Sequence, residues 1–171
     1  MDDIKLQLQE SIDTKKALLS ANLDIIRKIA DTVVNAFRNN HRIYLIGNGG
    51  SAADAQHIAG ELIGRFKMNR RPLPAVALTT DTSVITALAN DFGYDTCFAR
   101  QVEALADRGD VILAFSTSGN SKGILDAVIV ARDRGAITIG FTGKDGGLLG
   151  SAADICLKIP STNTPRIQEC H

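Results

Sequence analysis

The amino-acid sequence predicts a three-layer, doubly wound α/β fold around a five-stranded parallel sheet, and three observations carry that prediction. Short, wholly apolar runs such as Ile43–Ile46 (IYLI) and Val111–Phe115 (VILAF) have the character of strands buried on both faces. Stretches with helical hydrophobic spacing separate these runs, which implies crossover connections and a sheet covered on both sides. Glycine and hydroxyl clusters follow the first and third runs, where doubly wound sheets of the flavodoxin-like kind carry their ligand turns.

Taken in order, the chain opens with apolar residues at helical spacing between about Ile4 and Phe37. Leu8, Ile12, Leu19, Leu23, Ile26, Ala30, Val33 and Phe37 mark one long helix or two in succession. That is more helix than a small sheet needs for cover, so the surplus apolar face of residues 1–37 is expected to pack against another subunit. Ile43–Ile46 is the first strand, Gly47-Asn48-Gly49-Gly50 a turn, and a helix is expected to begin at Ser51. Ser51 is a good N-cap residue, and Asp54, three positions on, has the spacing of a capping box. Pro74–Leu78 reads as the second strand and Thr82–Ala89 as a helix, with Asn90-Asp91-Phe92-Gly93 breaking the pattern. Cys97–Ala106 is helical, Val111–Phe115 the third strand, Ser121–Arg134 a helix, and Ile137–Phe141 and Ile155–Ile159 the last two strands. The basic run Arg65–Arg71 reads as a solvated loop and Gly143–Gly147 as a surface turn.

Size and composition narrow the function. With 171 residues and 44% hydrophobic content the chain is expected to form one domain. Nineteen basic and nineteen acidic residues leave no net charge, which argues against nucleic acid or an anionic membrane surface and for a small-molecule partner. Cys97, Cys156 and Cys170 are an odd number without CxxC spacing, so neither a disulfide framework nor a zinc cluster of cysteines is expected. A charged N-terminus and no apolar run near the ~18 residues of a membrane span point to a soluble, cytoplasmic protein.

Two stretches carry chemistry. A strand feeding a helix through Gly47–Gly50 aims backbone amides and the positive end of the helix dipole at the turn, which suits an anion. Ser116-Thr117-Ser118-Gly119-Asn120-Ser121, directly after the third strand, adds hydroxyl donors fit for a phosphate monoester. A serine-rich loop is often only a self-capping turn, but two such turns at strand ends can meet around one ligand. His57 and Glu61 share one helix face about 6 Å apart along the axis, a spacing suited to a proton or metal. Their bland alternative is an exposed pair contributing a few tenths of a kcal/mol. Gly47–Ala52 also satisfies the dinucleotide pattern G-x-G-x-x-A with Asp81 as a possible ribose partner, but the chain has no room for a substrate domain. No Gly-Lys-Ser/Thr follows the glycines, which excludes a P-loop.

Together, GNGGSAADAQHIAGELIGRF, LTTDTSVITALANDFGYD, FSTSGNS, TGKDGG and TPRIQE resemble the bacterial phosphoheptose isomerases, members of the sugar isomerase (SIS) domain family. The resemblance runs from about residue 40 to the end of the chain. It implies an aldose–ketose isomerase converting D-sedoheptulose 7-phosphate to D-glycero-D-manno-heptose 7-phosphate, on the route to ADP-heptose and the lipopolysaccharide core. It also implies a homotetramer with active sites at subunit interfaces and one divalent ion, zinc, per subunit. By position, Asn48, Gly49 and Gly50 line the substrate site, Asn90 and Asp91 contact the sugar, and Ser116, Thr117, Ser118 and Ser121 hold the phosphate. His57, Glu61 and Gln168 are implied metal ligands, with Glu61 also the base and Gln168 in contact with substrate. The family's remaining histidine ligand lies about eight residues past Gln168, nearly on the same helix face. His171 corresponds to a different histidine, so a C-terminal helix cut short and a form that binds better than it turns over are expected. The alternative reading is a non-catalytic SIS protein that binds the DnaA replication initiator; it typically lacks the glutamate at position 61.

Overall fold

The computed structural model describes residues 2–171, so only Met1 of the predicted N-terminal segment lies outside the described residues. Five parallel strands, β1 (Ile43–Gly47), β2 (Ala75–Ala77), β3 (Val111–Phe115), β4 (Ile137–Thr142) and β5 (Ile155–Lys158), form one sheet in the order β2-β1-β3-β4-β5. The chain therefore moves outward from β1 to β2, then returns to place β3 on the other side of β1. That reversal is the switch point at which sheets of this kind open a crevice. Ile43 pairs with Val111 and Gly47 with Phe115, so β1 and β3 end in register.

Side chains alternate across the sheet, and each set is buried by different helices. On one face Ile43, Leu45, Leu113, Phe115, Ile139 and Leu157 pack with Ala36 and Phe37 of α2 (Leu23–Arg38) and Ala55 and Ala59 of α3 (Gly50–Ile63). On the other, Tyr44, Ile46, Ile112 and Ala114 meet Phe98 and Val102 of α5 (Cys97–Leu105) and Ile124, Ala127 and Val128 of α6 (Lys122–Asp133). The three predicted layers are present.

The N-terminal helical stretch is two helices, α1 (Asp2–Ala21) and α2, parted at Asn22. Leu18, Ile25, Ile29 and Val33 pack on the sheet, while Leu6, Leu8, Leu19 and Leu23 stay exposed. α4 (Thr82–Phe92) runs three residues past its expected end. Asn90 and Asp91 are its last turn rather than a break, and the stop is Gly93, whose φ of 90° only glycine adopts readily. A 3₁₀ turn, Tyr94–Thr96, links α4 to α5. Two short helices complete the fold, α7 (Leu149–Ala152) and α8 (Thr164–Gln168), the second closing over the C-terminal edge of the sheet with Ile167 in the core. Among the described residues, no helix is long and apolar enough to cross a membrane.

Candidate functional site

The site is built where β1 and β3 end. After Gly47 the chain must bend sharply into α3: a Cβ on Gly47 would stand 2.6 Å from the Ser51 carbonyl oxygen, and Gly49 takes a left-handed φ of 56°. The helix starts one residue earlier than expected, at Gly50, with Gly49 rather than Ser51 at the N-cap position. Ser51 is buried inside the first turn and makes no cap, and Asp54 closes no capping box. Instead, Asp54 Oδ2 is buried without a hydrogen-bond partner, and desolvation pushes its carboxyl pKa up despite the opposing pull of His57. The Ser51 amide donates to the Asn48 carbonyl at 3.0 Å, and those of Ala52 and Ala53 donate to Gly49 at 3.1 and 3.3 Å. These first-turn donors are consumed by the turn itself, so the anion cradle expected here is largely spoken for.

The hydroxyl turn after β3 is better equipped. Ser116 is buried, its Oγ 3.1 Å from Ser121 Oγ, and Gly119 supports the bend with a φ of 69°. Ser121 occupies the N-cap of α6, but its hydroxyl caps no helix amide and so remains available to a ligand. Thr117 and Ser118 line a cavity of about 280 Å³ with Lys144, Ser161 and Thr162. The Gly143–Gly147 segment, expected to be a surface turn, is the second wall of this loop. The Gly143 amide donates to Thr117 O at 3.0 Å, Leu149 N–H to Gly119 O at 2.9 Å, and Leu148 N–H to Asn120 Oδ1 at 3.0 Å. A Cβ on Gly147 would lie 2.5 Å from the Ser118 carbonyl oxygen, which explains glycine there.

Along α3, His57 Nε2 stands 3.8 Å from Glu61 Oε1, and their side chains are 75% and 35% exposed. Arg70, read from sequence as part of a solvated loop, is tied to the end of the same helix: its guanidinium donates to the Glu61 and Leu62 carbonyls at 2.7 and 2.8 Å. A cation there satisfies carbonyls that have no intrahelical partner and complements the negative end of the dipole. At the opposite end of α3, Gln168 from α8 packs over Gly50; a Cβ on Gly50 would come 2.6 Å from Gln168 Cδ. Arg166, buried two residues earlier, anchors α8 by donating to the Gln7 carbonyl and to Glu169 Oε1, both at 2.6 Å.

The structure thus brings Asn48, Gly49, Gly50 and Gln168 together, and sets the Ser116–Ser121 turn at the neighbouring strand end. Asn90 and Asp91 lie at the end of α4, with Asn90 Nδ2 donating to Asp91 Oδ1 at 2.8 Å. They are linked to the glycine turn by Tyr94, whose hydroxyl donates to Asn48 Oδ1 at 2.9 Å. His57 and Glu61 meet each other but not Gln168: Gly50 and His57 are seven residues apart on one face, about 10 Å along the axis. Among the described residues, no three His, Cys, Asp or Glu side chains form a group that could hold a metal ion. His57 and Glu61 alone offer a divalent ion a nitrogen and a carboxylate, short of the three protein ligands usual in catalytic zinc sites.

Comparison with known proteins gives consistent likenesses. The SIS domain family model matches residues 8–143. The chain is 50% identical over 171 residues to the phosphoheptose isomerase of Geobacter sulfurreducens, covering all of this chain and 90% of that protein. Among solved structures it is similar to a phosphoheptose isomerase from Francisella tularensis, with a TM-score of 0.96, 39% identity and coverage of 99% of this chain and 91% of that one. The phosphoheptose isomerase from Neisseria gonorrhoeae superimposes with a TM-score of 0.94 at 40% identity, covering 99% and 91%.

Proposed function

Because this chain belongs to the phosphoheptose isomerase family of SIS-domain proteins, we propose that the crevice between β1 and β3 is its active site and that Glu61 carries the proton. The reaction is the aldose–ketose isomerisation of D-sedoheptulose 7-phosphate to D-glycero-D-manno-heptose 7-phosphate, which feeds ADP-heptose and lipopolysaccharide core assembly. The observation that carries this reading is the pairing of Gly47 with Phe115, which sets a glycine turn and a hydroxyl turn side by side at one strand edge. The relatives give no support to the alternative of a non-catalytic binder of the replication initiator.

In this mechanism Ser116, Thr117, Ser118 and Ser121 hold the phosphate. The Ser116–Ser121 hydroxyl contact, with no helix amide capped by Ser121, supports that role. Asn48, Gly49 and Gly50 border the sugar, with Asn90 and Asp91 on its far side and Gln168 closing over the glycine turn. Binding energy from the remote phosphate then orients the reacting carbons. Glu61 takes the proton from C1 of the ketose and returns one to C2 through a cis-enediol. Arg70, bound to the Glu61 carbonyl, holds the end of its helix in place. His57 and Glu61 would hold a divalent ion, zinc in this reading, and Gln168, whose amide rests over Gly50, would have to swing along α3 to become a third donor. When bound, such an ion polarises the substrate carbonyl.

The exposed apolar side chains of α1 and α2 and the exposure of His57 support a homotetramer with sites near subunit contacts. The three free thiols, Cys97, Cys156 and Cys170, support a reducing cytoplasm. Replacing Glu61 with Gln tests the assignment of the base in a coupled isomerase assay. A fall in kcat of about 10²- to 10⁴-fold is expected, and undiminished turnover would remove Glu61 from that role.

A further inference from the structure

The 3₁₀ turn Tyr94–Thr96 touches both halves of the crevice. Gly93, at φ 90°, lets the chain leave α4 and double back, and the Thr96 amide and hydroxyl close the turn on the Gly93 carbonyl at 3.1 and 2.9 Å. On one side the turn bears on α6, the helix that the hydroxyl turn opens. A Cβ on Gly123 would lie 2.9 Å from the Asp95 carbonyl oxygen, so bare backbone at the start of α6 is what lets the turn rest there. On the other side the Tyr94 phenol reaches the glycine turn and donates to Asn48 Oδ1 at 2.9 Å, joining residues 46 positions apart. Tyr94 is 54% exposed, so core packing does not account for its hydroxyl being held in this place.

We propose that Tyr94 is a positioning residue for sugar recognition, acting through Asn48; the proposal rests on the reading of Asn48 as a substrate contact. With the phenol donating to its oxygen, the Asn48 amide turns its nitrogen away from Tyr94. The oxygen is committed to Tyr94, and the two N–H groups of Nδ2 are left for the ligand. Asn48 therefore presents donors only, matched to a carbonyl or hydroxyl oxygen at the sugar end of the substrate. With phenylalanine at position 94 the ring and the turn remain, but the amide is free to rotate and present its oxygen instead. Because the same turn rests on the start of α6, it also sets the spacing between the sugar contact and the phosphate contacts, and hence the length of sugar phosphate that fits.

The test is a double-mutant cycle on Tyr94→Phe and Asn48→Ala, read by calorimetric titration with sedoheptulose 7-phosphate and with inorganic phosphate. Tyr94→Phe is expected to weaken sugar-phosphate binding about 3- to 10-fold, the range of one net hydrogen bond. Inorganic phosphate affinity and the melting temperature should stay at wild-type values, which a merely structural role would not produce. In the Asn48→Ala background the Tyr94→Phe change should add nothing, since the phenol acts only through the amide. Unchanged binding in Tyr94→Phe beside weakened binding in Asn48→Ala would overturn the proposal. So would a Tyr94→Phe effect that persists at full size in the Asn48→Ala background. Wild-type binding by Asn48→Ala would overturn the reading of Asn48 itself and the proposal with it.

Discussion

Replacing Gly50 with alanine separates the stability of the glycine turn from its function. Gly50 is the first residue of α3, where alanine is the better helix former by up to about 1 kcal/mol. Gly50 has no positive φ, so its backbone conformation suits an alanine. What the new methyl group meets is the end of a flexible side chain, Gln168, whose Cδ and Oε1 would each lie 2.6 Å from the new Cβ. The amide nitrogen lies nearer still, so restoring ordinary van der Waals contact moves the amide by more than about 1 Å, a displacement that can cost about 100-fold in turnover when it moves a group at the reacting centre. The expected outcome is a protein as stable as wild type that turns over sedoheptulose 7-phosphate about 10- to 100-fold more slowly. Gly47→Ala is the contrast. Its Cβ would stand 2.6 Å from the Ser51 carbonyl oxygen and 2.9 Å from Ser51 Cβ, parts of the helix start that cannot swing aside. That change should cost about 1–3 kcal/mol of stability. Thermal denaturation and a coupled isomerase assay on both variants, and on Gly50→Ala in a Gln168→Ala background, read the outcome. Wild-type turnover in Gly50→Ala would refute the placing of Gln168 in the site. An equal stability loss in the two glycine variants would refute the distinction between them.

Other outcomes follow from buried polar groups. His171 packs beside Phe115 and Phe141 with ring centroids 6.0 Å away, and neither ring nitrogen has a hydrogen-bond partner. Burial pushes its pKa down to about 4, with the Thr142 backbone opposing. The unfolded chain therefore takes up a proton that the folded chain refuses. The stability is fully present above about pH 6.5 and is lost as pH falls from there towards 4, about 3 kcal/mol over the window. Urea denaturation at several pH values should show a shallower acid loss in His171→Leu than in wild type; parallel curves would refute it. Arg166→Met should cost about 2–4 kcal/mol, because two short hydrogen bonds from a buried guanidinium to α1 and Glu169 disappear. Arg166→Lys should recover only part of that in the same denaturation assay, since an ammonium lacks the two-pronged geometry.

The sheet was legible from sequence because its central strands, β1 and β3, are buried on both faces. Val111–Phe115 contains no residue that favours water, and its predicted ends match those observed. Helix ends were less legible where a glycine's dihedral decides them. Gly49 moved the start of α3 to Gly50, and Gly93 rather than Asn90 stopped α4. The pairs that assemble the site are long-range and leave no local pattern. Tyr94 with Asn48, Gln168 with Gly50, and Gly147 with the Ser118 turn become neighbours only once the strand order is known. Arg70 was hidden for a different reason: a basic residue in a basic run looks solvated unless the helix end it caps is in view.

The central claim is that Glu61 moves a proton between two carbons, and the isotope content of the product tests it most directly. Sedoheptulose 7-phosphate is incubated with the protein in D₂O and the aldose product is examined by NMR. The Glu61 side chain is 35% exposed, so a proton it takes from C1 exchanges with solvent before it is returned. Deuterium is expected at C2 of the product, with product forming about 10²- to 10⁴-fold more slowly in Glu61→Gln. Product that forms at the wild-type rate with only protium at C2 would contradict proton transfer through a solvent-accessible carboxylate.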